Sequence, residues 1–245
     1  MIETQLSLLA CRLGLFALAV TSAIVFGDAF APSYRNVHYS RVIQCHSLSG
    51  DDEAKSAFGT KEYWDEVYQG RGDFPADEYT WYFGFDEYQR IVQEHVPDKD
   101  TAILIPGIGN DPILLDLLQK GYSNLTATDY SEHAIERQVD LISYQYSEDA
   151  VELRHMDARQ MDQSWTDRFD VIIEKGALDA IYLSGDGNLE LTAKEFERIL
   201  KPAGVLISVS GVVPEMLRRE VFRDWAWLRD GSDDLKAGCF VLKYE

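Results

Sequence analysis

Basic residues are scarce in this sequence, and their scarcity limits what the protein can bind. The 245 residues include 23 lysines and arginines against 42 aspartates and glutamates, so the net charge is −19 at pH 7. An acidic surface of this kind repels phosphate backbones, and we therefore expect no direct binding to nucleic acid. The same surface favours a basic substrate, although acids retained for solubility would give an equal excess.

Cysteine is also scarce, with Cys11, Cys45 and Cys239 as the three examples. No two of them have the spacing of a metal site or a redox pair, so the sequence predicts neither a disulfide framework nor a metal centre. Hydrophobic residues make up 46% of the chain and charged residues 27%, which is typical of a globular protein. At this length we expect one sizeable domain, alone or with appendages.

Acids are nearly absent from the first 50 residues, which have the composition of targeting segments. Arg12 precedes an apolar run over residues 13–26, and small residues follow at 27–29. This order of basic residue, apolar run and small residues predicts a signal peptide over residues 1–29.

A second targeting segment follows over residues 30–50, which contain serines and arginines but no acid, as a transit peptide does. The stretch Ala29-Phe30-Ala31-Pro32 resembles the junction of bipartite plastid-targeting signals in diatoms and related algae. We therefore expect import into a plastid and no membrane association after processing. Secretion and anchoring by an uncleaved N-terminal segment are the alternatives.

Strand and helix patterns alternate from residue 99 to the C-terminus. Such alternation predicts a parallel sheet with right-handed crossovers. Two final strands, joined around an Asp-Gly-Ser-Asp turn, predict an antiparallel addition. The predicted fold is a Rossmann-like, doubly wound α/β sheet of seven strands over residues 99–245, mostly parallel with an antiparallel C-terminal strand. The predicted strands are residues 103–105, 125–128, 151–154, 169–173, 205–210, 225–228 and 239–243.

Helical patterns precede and interrupt this sheet. Apolar residues at helical spacing predict helices over 51–70 and 85–97, and residues 51–98 form a helical segment in front of the sheet. From the residues alone, we expect the aromatic side chains of this segment to pack in the core. Within the sheet domain, Thr192 and Glu195 match a capping box and predict the start of another helix.

A turn with two glycines, Gly107-Ile108-Gly109, follows the first predicted strand. Asp111 at the N-cap and Pro112 at the first helical position predict that a helix begins directly after it. Strand, glycine turn and helix start together form the nucleotide-binding corner of an open α/β sheet. A dinucleotide site would carry a third glycine shortly after these two, where this chain has Asp111 and Pro112, and the carboxylate of Asp111 would repel a pyrophosphate. We therefore predict a nucleoside cofactor without phosphate groups, S-adenosylmethionine.

Polar residues stand at the ends of the following strands, where ligands bind in such sheets. Asp129 ends the second strand, 20 residues beyond the second glycine, where an acid can accept hydrogen bonds from ribose hydroxyls. Tyr130 can pack against the adenine, and Asp157 after the third strand can accept from the adenine amine. Glu174 and Lys175 end the fourth strand, and we expect both to face the reaction site.

Residues 60–245 resemble the seven-stranded, S-adenosylmethionine-dependent methyltransferases, in particular the methyltransferase-like lysine methyltransferases of translation elongation factor 1-alpha. The most specific piece is Glu-Lys-Gly-Ala-Leu-Asp-Ala at residues 174–180. The pieces that match are Tyr63-Trp64-Asp65 with Tyr68, Trp81, Gly107-Ile108-Gly109-Asn110, Asp129-Tyr130-Ser131, Met156-Asp157-Ala158-Arg159 and residues 169–180.

The resemblance implies an enzyme whose N-terminal segment covers the cofactor, which reverses the packing interpretation of its aromatic residues. It implies that a protein substrate, an elongation factor or a relative of one, is methylated on lysine. For the deprotonation of that lysine our candidates are Glu174 and Asp179, with Tyr182 as a wall of the acceptor channel. With Gly109 from the glycine turn, the expected cofactor contacts are Trp64, Tyr68, Trp81, Gly107, Gly109, Asp129, Tyr130, Asp157, Ala158 and Lys175.

Three other functions stay compatible with the sequence. The same fold serves small-molecule methyltransferases, and a nucleoside site can also belong to a non-catalytic binding protein. An NAD-dependent oxidoreductase shares the glycine turn but is disfavoured by Asp111. The sequence predicts no particular oligomeric state.

Overall fold

The computed structural model of the protein describes residues 57–71, 81–232, 235 and 237–245. The signal peptide and transit-peptide-like segment predicted from the sequence lie outside these residues, as does the start of the predicted helix at 51–56. None of the helices within the described ranges is long and apolar enough to span a bilayer.

The described residues form a sheet of seven strands, which confirms the predicted fold class. Its strands are β1 (Ile103–Pro106), β2 (Leu125–Asp129), β3 (Glu152–His155), β4 (Phe169–Lys175), β5 (Leu200–Ser210), β6 (Trp225–Asp230) and β7 (Gly238–Tyr244). The strand order across the sheet is β3-β2-β1-β4-β5-β7-β6. Strands β1 to β5 pair in parallel, and β7 is antiparallel to both β5 and β6. The order reverses between β1 and β4, which opens a crevice at their carboxyl ends.

Helices precede the sheet and connect its strands. In the described ranges they are α1 (Lys61–Tyr68), α2 (Phe85–His95), α3 (Ile113–Gln119), α4 (Glu132–Ser143), α5 (Ala177–Leu183), α6 (Asn188–Ile199) and α7 (Glu215–Val221). A short 3-10 turn at Ala57–Gly59 leads into α1, whose N-cap is Thr60. The helix predicted over residues 51–70 is therefore shorter within the described residues: it begins at Lys61, because Thr60 caps it and residues 57–59 form a separate turn.

Two apolar cores cover the two faces of the sheet, because successive strand residues point in opposite directions. Ile103 and Ile105 of β1 belong to one core, which includes Tyr88 of α2 and Leu114 of α3. Leu104, between them, belongs to the other core with residues of α5, α6 and α7. Burial on both faces explains why the central strands are continuous apolar runs.

The capping box predicted at Thr192 and Glu195 is wrong. Helix α6 begins a turn earlier, with Gly187 as its N-cap. Thr192 lies inside the helix, where its hydroxyl donates to the carbonyl of Asn188 at 2.9 Å. The Glu195 carboxylate accepts from the backbone N–H of Met161 at 2.8 Å, so a tertiary contact uses the group that the local pattern assigned to the cap.

The start of α3 differs from the prediction by one residue. Pro112 is the N-cap, and the helix begins at Ile113. Asp111 nevertheless acts as expected, because its Oδ1 accepts from the Ile113 N–H at 2.9 Å. Strand β5 is longer than predicted and begins at Leu200, and helix α5 had no counterpart among the predicted elements.

Candidate active site

A cavity of about 420 Å³ lies at the carboxyl ends of β1, β2 and β4, within the usual range for small-molecule sites. All ten residues expected to contact the cofactor line it, so the structure brings together positions that are far apart in the sequence. Helix α1, the glycine turn, the ends of β2 and β4, and the loop after β3 each contribute to the wall. The cavity is thus built at the point where the strand order reverses.

The glycine turn needs its glycines because of backbone geometry and close contacts. Gly107 and Gly109 have φ values of +62° and +53°, which residues with a side chain rarely adopt. A Cβ on Gly107 would lie 2.7 Å from the Cβ of Ala177, and one on Gly109 would lie 2.5 Å from the hydroxyl oxygen of Tyr68. The turn can therefore come close to both α5 and α1 only without side chains.

Asp129 is held rigidly at the end of β2. Its Oδ2 accepts from the Gly109 N–H and its Oδ1 from the Ser131 N–H, both at 2.9 Å. Burial raises the pKa of this carboxyl to about 6, although both N–H groups favour its ionised form. Each carboxylate oxygen can accept a further hydrogen bond. The geometry therefore leaves Asp129 able to accept from the hydroxyls of a ribose.

Asp157, in the loop after β3, is already paired. Its Oδ2 lies 2.6 Å from Nη2 of Arg159, and its Oδ1 accepts from the Arg159 backbone N–H at 2.9 Å. Burial favours the neutral carboxyl, but the hydrogen bonds from Arg159 outweigh it and hold the pKa of Asp157 below its usual value. The predicted acceptor for an adenine amine therefore stays ionised beside the cavity.

Three aromatic residues form the outer wall of the cavity. The rings of Trp64 and Tyr68 are stacked with centroids 5.8 Å apart, and Trp81 lies 5.8 Å from Trp64. The Trp64 indole N–H donates to the carbonyl of Phe58 at 2.7 Å, which fixes its ring. Trp81 packs over Gly176, where a Cβ would lie 3.1 Å from the indole. The segment in front of the sheet thus supplies a cover to the site.

Lys175 ties this cover to the glycine turn. Its Nζ lies 2.5 Å from Oδ2 of Asp111 and donates to the carbonyls of Trp81 and Phe83, at 2.9 Å each. The negative charge of Asp111 is therefore neutralised locally, which weakens the argument that it would repel a pyrophosphate. The same pairing disfavours a pyrophosphate for another reason. The ammonium group of Lys175 is already engaged by Asp111 and offers little attraction to a phosphate.

Neither of the two candidate catalytic carboxylates, Glu174 and Asp179, is among the residues that line the cavity, although Glu174 was expected to face the reaction site. Glu174 is fully buried, accepts from the Ser208 hydroxyl and accepts from the Leu178 N–H at 3.1 Å. Burial, reinforced by nearby Asp179, raises the pKa of Glu174 to about 7. Whether either carboxylate acts in catalysis stays a prediction.

Asp179 is surrounded by donors and does not line the cavity. Its Oδ2 accepts from the hydroxyl of Tyr82 at 2.6 Å and from the Gly211 N–H at 3.2 Å. Its Oδ1 accepts from the Ser210 hydroxyl at 2.5 Å and from backbone N–H groups of the loop after β5. Tyr182, the expected channel wall, is half-buried and packs against the core that contains Leu104.

One face of α5 is a part of the cavity that the sequence analysis missed. Ala177, Ala180, Ile181 and Ser184 line the wall, at the i, i+3, i+4 and i+7 spacing of a single helix face. The signal was present, because a helix opening after the glycine at 176 would place these four side chains together. Lys61 of α1 also lines the cavity, where it pairs with Asp65 at 2.6 Å.

The fold and the cavity define an S-adenosylmethionine-dependent methyltransferase of the Rossmann-like class, and comparisons with known proteins agree. A family model described as a methyltransferase domain matches residues 97–234, and the chain belongs to this family. The cofactor and the enzyme class predicted from the sequence are thereby confirmed.

Individual relatives give more detail. The chain is 30% identical over 188 residues to EEF1A lysine methyltransferase 2 of Mus musculus, covering 71% of this chain and 75% of that protein. It is 28% identical over 185 residues to the protein-lysine N-methyltransferase EFM4 of Saccharomyces cerevisiae, covering 65% and 77%. A solved Burkholderia thailandensis 1,6-didemethyltoxoflavin-N1-methyltransferase with bound S-adenosylhomocysteine has the same fold, with a TM-score of 0.57 at 15% identity over 80% of this chain and 93% of that one.

Proposed function

We propose that the protein transfers a methyl group from S-adenosylmethionine to a lysine side chain of an elongation-factor-like protein. The observation that carries the proposal is the similarity to relatives named as lysine methyltransferases, which extends over about two thirds of the chain or more. The acidic composition supports it, because a surface with this excess of carboxylates attracts a basic protein substrate.

The role of the chain in this reaction is to align the reactants and exclude water. S-adenosylmethionine supplies a methyl group on a positively charged sulfur, which a neutral amine can attack. Trp64, Tyr68 and Trp81 line the cavity and shield it from water. Asp129 would hold the ribose and so help to fix the cofactor for the attacking amine.

A labelling experiment tests the proposal. The full chain is incubated with radiolabelled S-adenosylmethionine and purified elongation factor 1-alpha, with an organellar elongation factor as a second acceptor. The Asp129→Ala variant, which loses the ribose ligand, serves as the control. We expect label in the factor with the wild-type chain only. In a parallel incubation with a cell extract, label confined to small molecules would indicate a small-molecule methyltransferase. Cofactor binding without turnover in either incubation would indicate a non-catalytic protein.

We propose further that residues 1–50 direct the protein to a plastid, which would make an organellar elongation factor its substrate. The basis is the order of the apolar run, the Ala-Phe-Ala-Pro junction and the acid-free segment. Residues 1–50 fused to a fluorescent reporter should enter plastids of a diatom, whereas a reporter carrying residues 1–29 should stop in the secretory pathway. Secretion of the longer fusion, or its retention in a membrane, would contradict the proposal.

A further inference from the structure

Trp64, Tyr68 and Trp81 form the aromatic cover of the cavity, and the short segment around Trp81 is fixed from two sides. We call residues 81–83 the aromatic turn. The carbonyls of Trp81 and Phe83 accept from Lys175, as described above, and Tyr82 between them has a φ of +59°. A bulky residue rarely adopts this left-handed conformation, which persists only where the surroundings hold it in place. The strain at Tyr82 therefore points to the contacts of its side chain.

The hydroxyl of Tyr82 makes two hydrogen bonds away from the cavity. It donates to Oδ2 of Asp179 at 2.6 Å and accepts from the backbone N–H of Gly211 at 3.1 Å. Burial, together with the adjacent Asp179 carboxylate, raises the pKa of Tyr82 above its usual value, so the phenol keeps its proton and remains a donor. The ring also lies within 3.2 Å of the position that a Cβ on Gly211 would take.

Asp179 extends this contact to the loop between β5 and α7, residues 211–214. Its Oδ1 accepts from the N–H groups of Val212 and Val213 at 3.0 and 2.9 Å, and from the Ser210 hydroxyl. The Ser210 hydroxyl in turn accepts from the buried guanidinium of Arg218 in α7. The aromatic turn, the carboxylate and the β5–α7 loop thus form one hydrogen-bonded unit.

We propose that Tyr82 is a positioning residue that couples the cofactor cavity to the β5–α7 loop. Its neighbour Trp81 is part of the cavity wall, while its own hydroxyl fixes the loop directly and through Asp179. A ligand that holds Trp81 in place should then also order the loop through Tyr82, and by reciprocity the ordered loop should favour binding of the ligand. The inference goes beyond the proposed function, since it concerns cofactor binding and not the identity of the acceptor.

Hydrogen exchange on the full chain tests this coupling, with S-adenosylhomocysteine as the probe. The amides of residues 211–213 donate to Asp179 or Tyr82 but do not line the cavity. We expect the probe to slow their exchange in the wild-type chain. In Tyr82→Phe, which keeps the ring but removes the hydroxyl, this protection should disappear and the affinity for the probe should fall about tenfold.

Tyr122→Phe is the matched control. Tyr122 is buried, and its hydroxyl donates to the carbonyl of Val96 at 2.7 Å, but it precedes the amino end of β2, whereas the cavity lies at the carboxyl ends of the strands. The control should keep both the affinity and the protection of residues 211–213. No protection in the wild-type chain, protection that persists in Tyr82→Phe, or an equal loss in both variants would overturn the proposal. Absence of protection in the wild-type chain would overturn the proposal even if Tyr82→Phe does not fold.

Discussion

At Gly107, the absence of a side chain lets the glycine turn approach α5. A Cβ there would meet the Cβ of Ala177, a group fixed to the helix backbone and unable to rotate away. Gly121, after α3, offers a comparison, because its φ of +87° is equally left-handed but no described heavy atom lies within 4 Å of a Cβ placed on it. Substitutions at Gly121 therefore test backbone strain alone, whereas substitutions at Gly107 test backbone strain together with a steric clash.

We predict that Gly121→Ala loses roughly 1 kcal/mol of stability, because it forces alanine into a left-handed conformation, and that Gly107→Ala loses more, because its methyl group also meets Ala177. Only Gly107→Ala should also weaken the binding of S-adenosylhomocysteine, by about tenfold or more, since its methyl group displaces α5 from the cavity wall. Calorimetric titration and urea unfolding of both variants provide the check. Equal affinities in the two variants would show that the close contact does not shape the site.

The motif that contains Glu174 and Asp179 does not by itself show which way their side chains point. Glu174 precedes Lys175 on β4, and neighbouring strand residues point to opposite faces, so the two could not both face the cavity. Asp179 lies two residues beyond Ala177, roughly 200° around α5 from the face that lines the wall. The periodicities of strand and helix, applied to this segment, would have placed both carboxylates behind the wall. The family resemblance instead located the segment without orienting its side chains.

At the scale of elements, the aromatic cover and the glycine turn are joined by a buried ion pair. The side chains of Lys175 and Asp111 are only 6% and 16% exposed, so removing one partner leaves the other charged and poorly solvated. No sequence pattern indicates this pair, because Asp111 belongs to the glycine motif and Lys175 to the end of β4, 64 residues further along the chain.

We predict that Lys175→Met destabilises the chain by about 3 kcal/mol, and that adding Asp111→Asn recovers part of this loss. The physical reason is that the single variant leaves a buried carboxylate without its cation, whereas the double variant removes that charge. Urea unfolding of the two single variants and the double variant measures the coupling. Losses that simply add would mean that the two side chains do not interact.

Local signals predicted the strands well and the caps poorly. The β-branched runs of β1 and β4 are buried on both faces, so composition alone identifies them. The capping box predicted at Thr192 is wrong. The Glu195 carboxylate accepts instead from the backbone N–H of Met161, which is 34 residues away in the sequence. The bounds of elements depend on such distant contacts, whereas their existence depends on their own residues.

At the scale of the whole molecule, buried acids make stability depend on pH in an unusual direction. The pKa of Glu174 is raised to about 7 and that of Asp129 to about 6, mainly by burial. At pH values between the unfolded and the folded pKa of each carboxyl, the folded chain binds more protons than the unfolded chain. The stability that this protonation contributes is therefore lost as the pH rises towards about 7. The net charge of −19 at pH 7 acts in the same direction through self-repulsion.

We therefore predict that the melting temperature of the ligand-free chain rises by about 5 °C when the pH is lowered from about 7.5 to about 5.5. Differential scanning calorimetry across this window measures the effect. The Glu174→Gln variant should lose a large share of the rise, since its side chain cannot titrate. A melting temperature that falls on acidification would mean that the two carboxyls are not protonated in the folded chain.

The central claim is that the cavity serves the methylation of a protein lysine. Tandem mass spectrometry of elongation factor 1-alpha, after incubation with S-adenosylmethionine and either the wild-type chain or Asp129→Ala, tests it most directly. We expect a methylated lysine with the wild-type chain and none with the variant, for this factor or for an organellar elongation factor. Both factors remaining unmodified, while the wild-type chain methylates a small molecule, would contradict it.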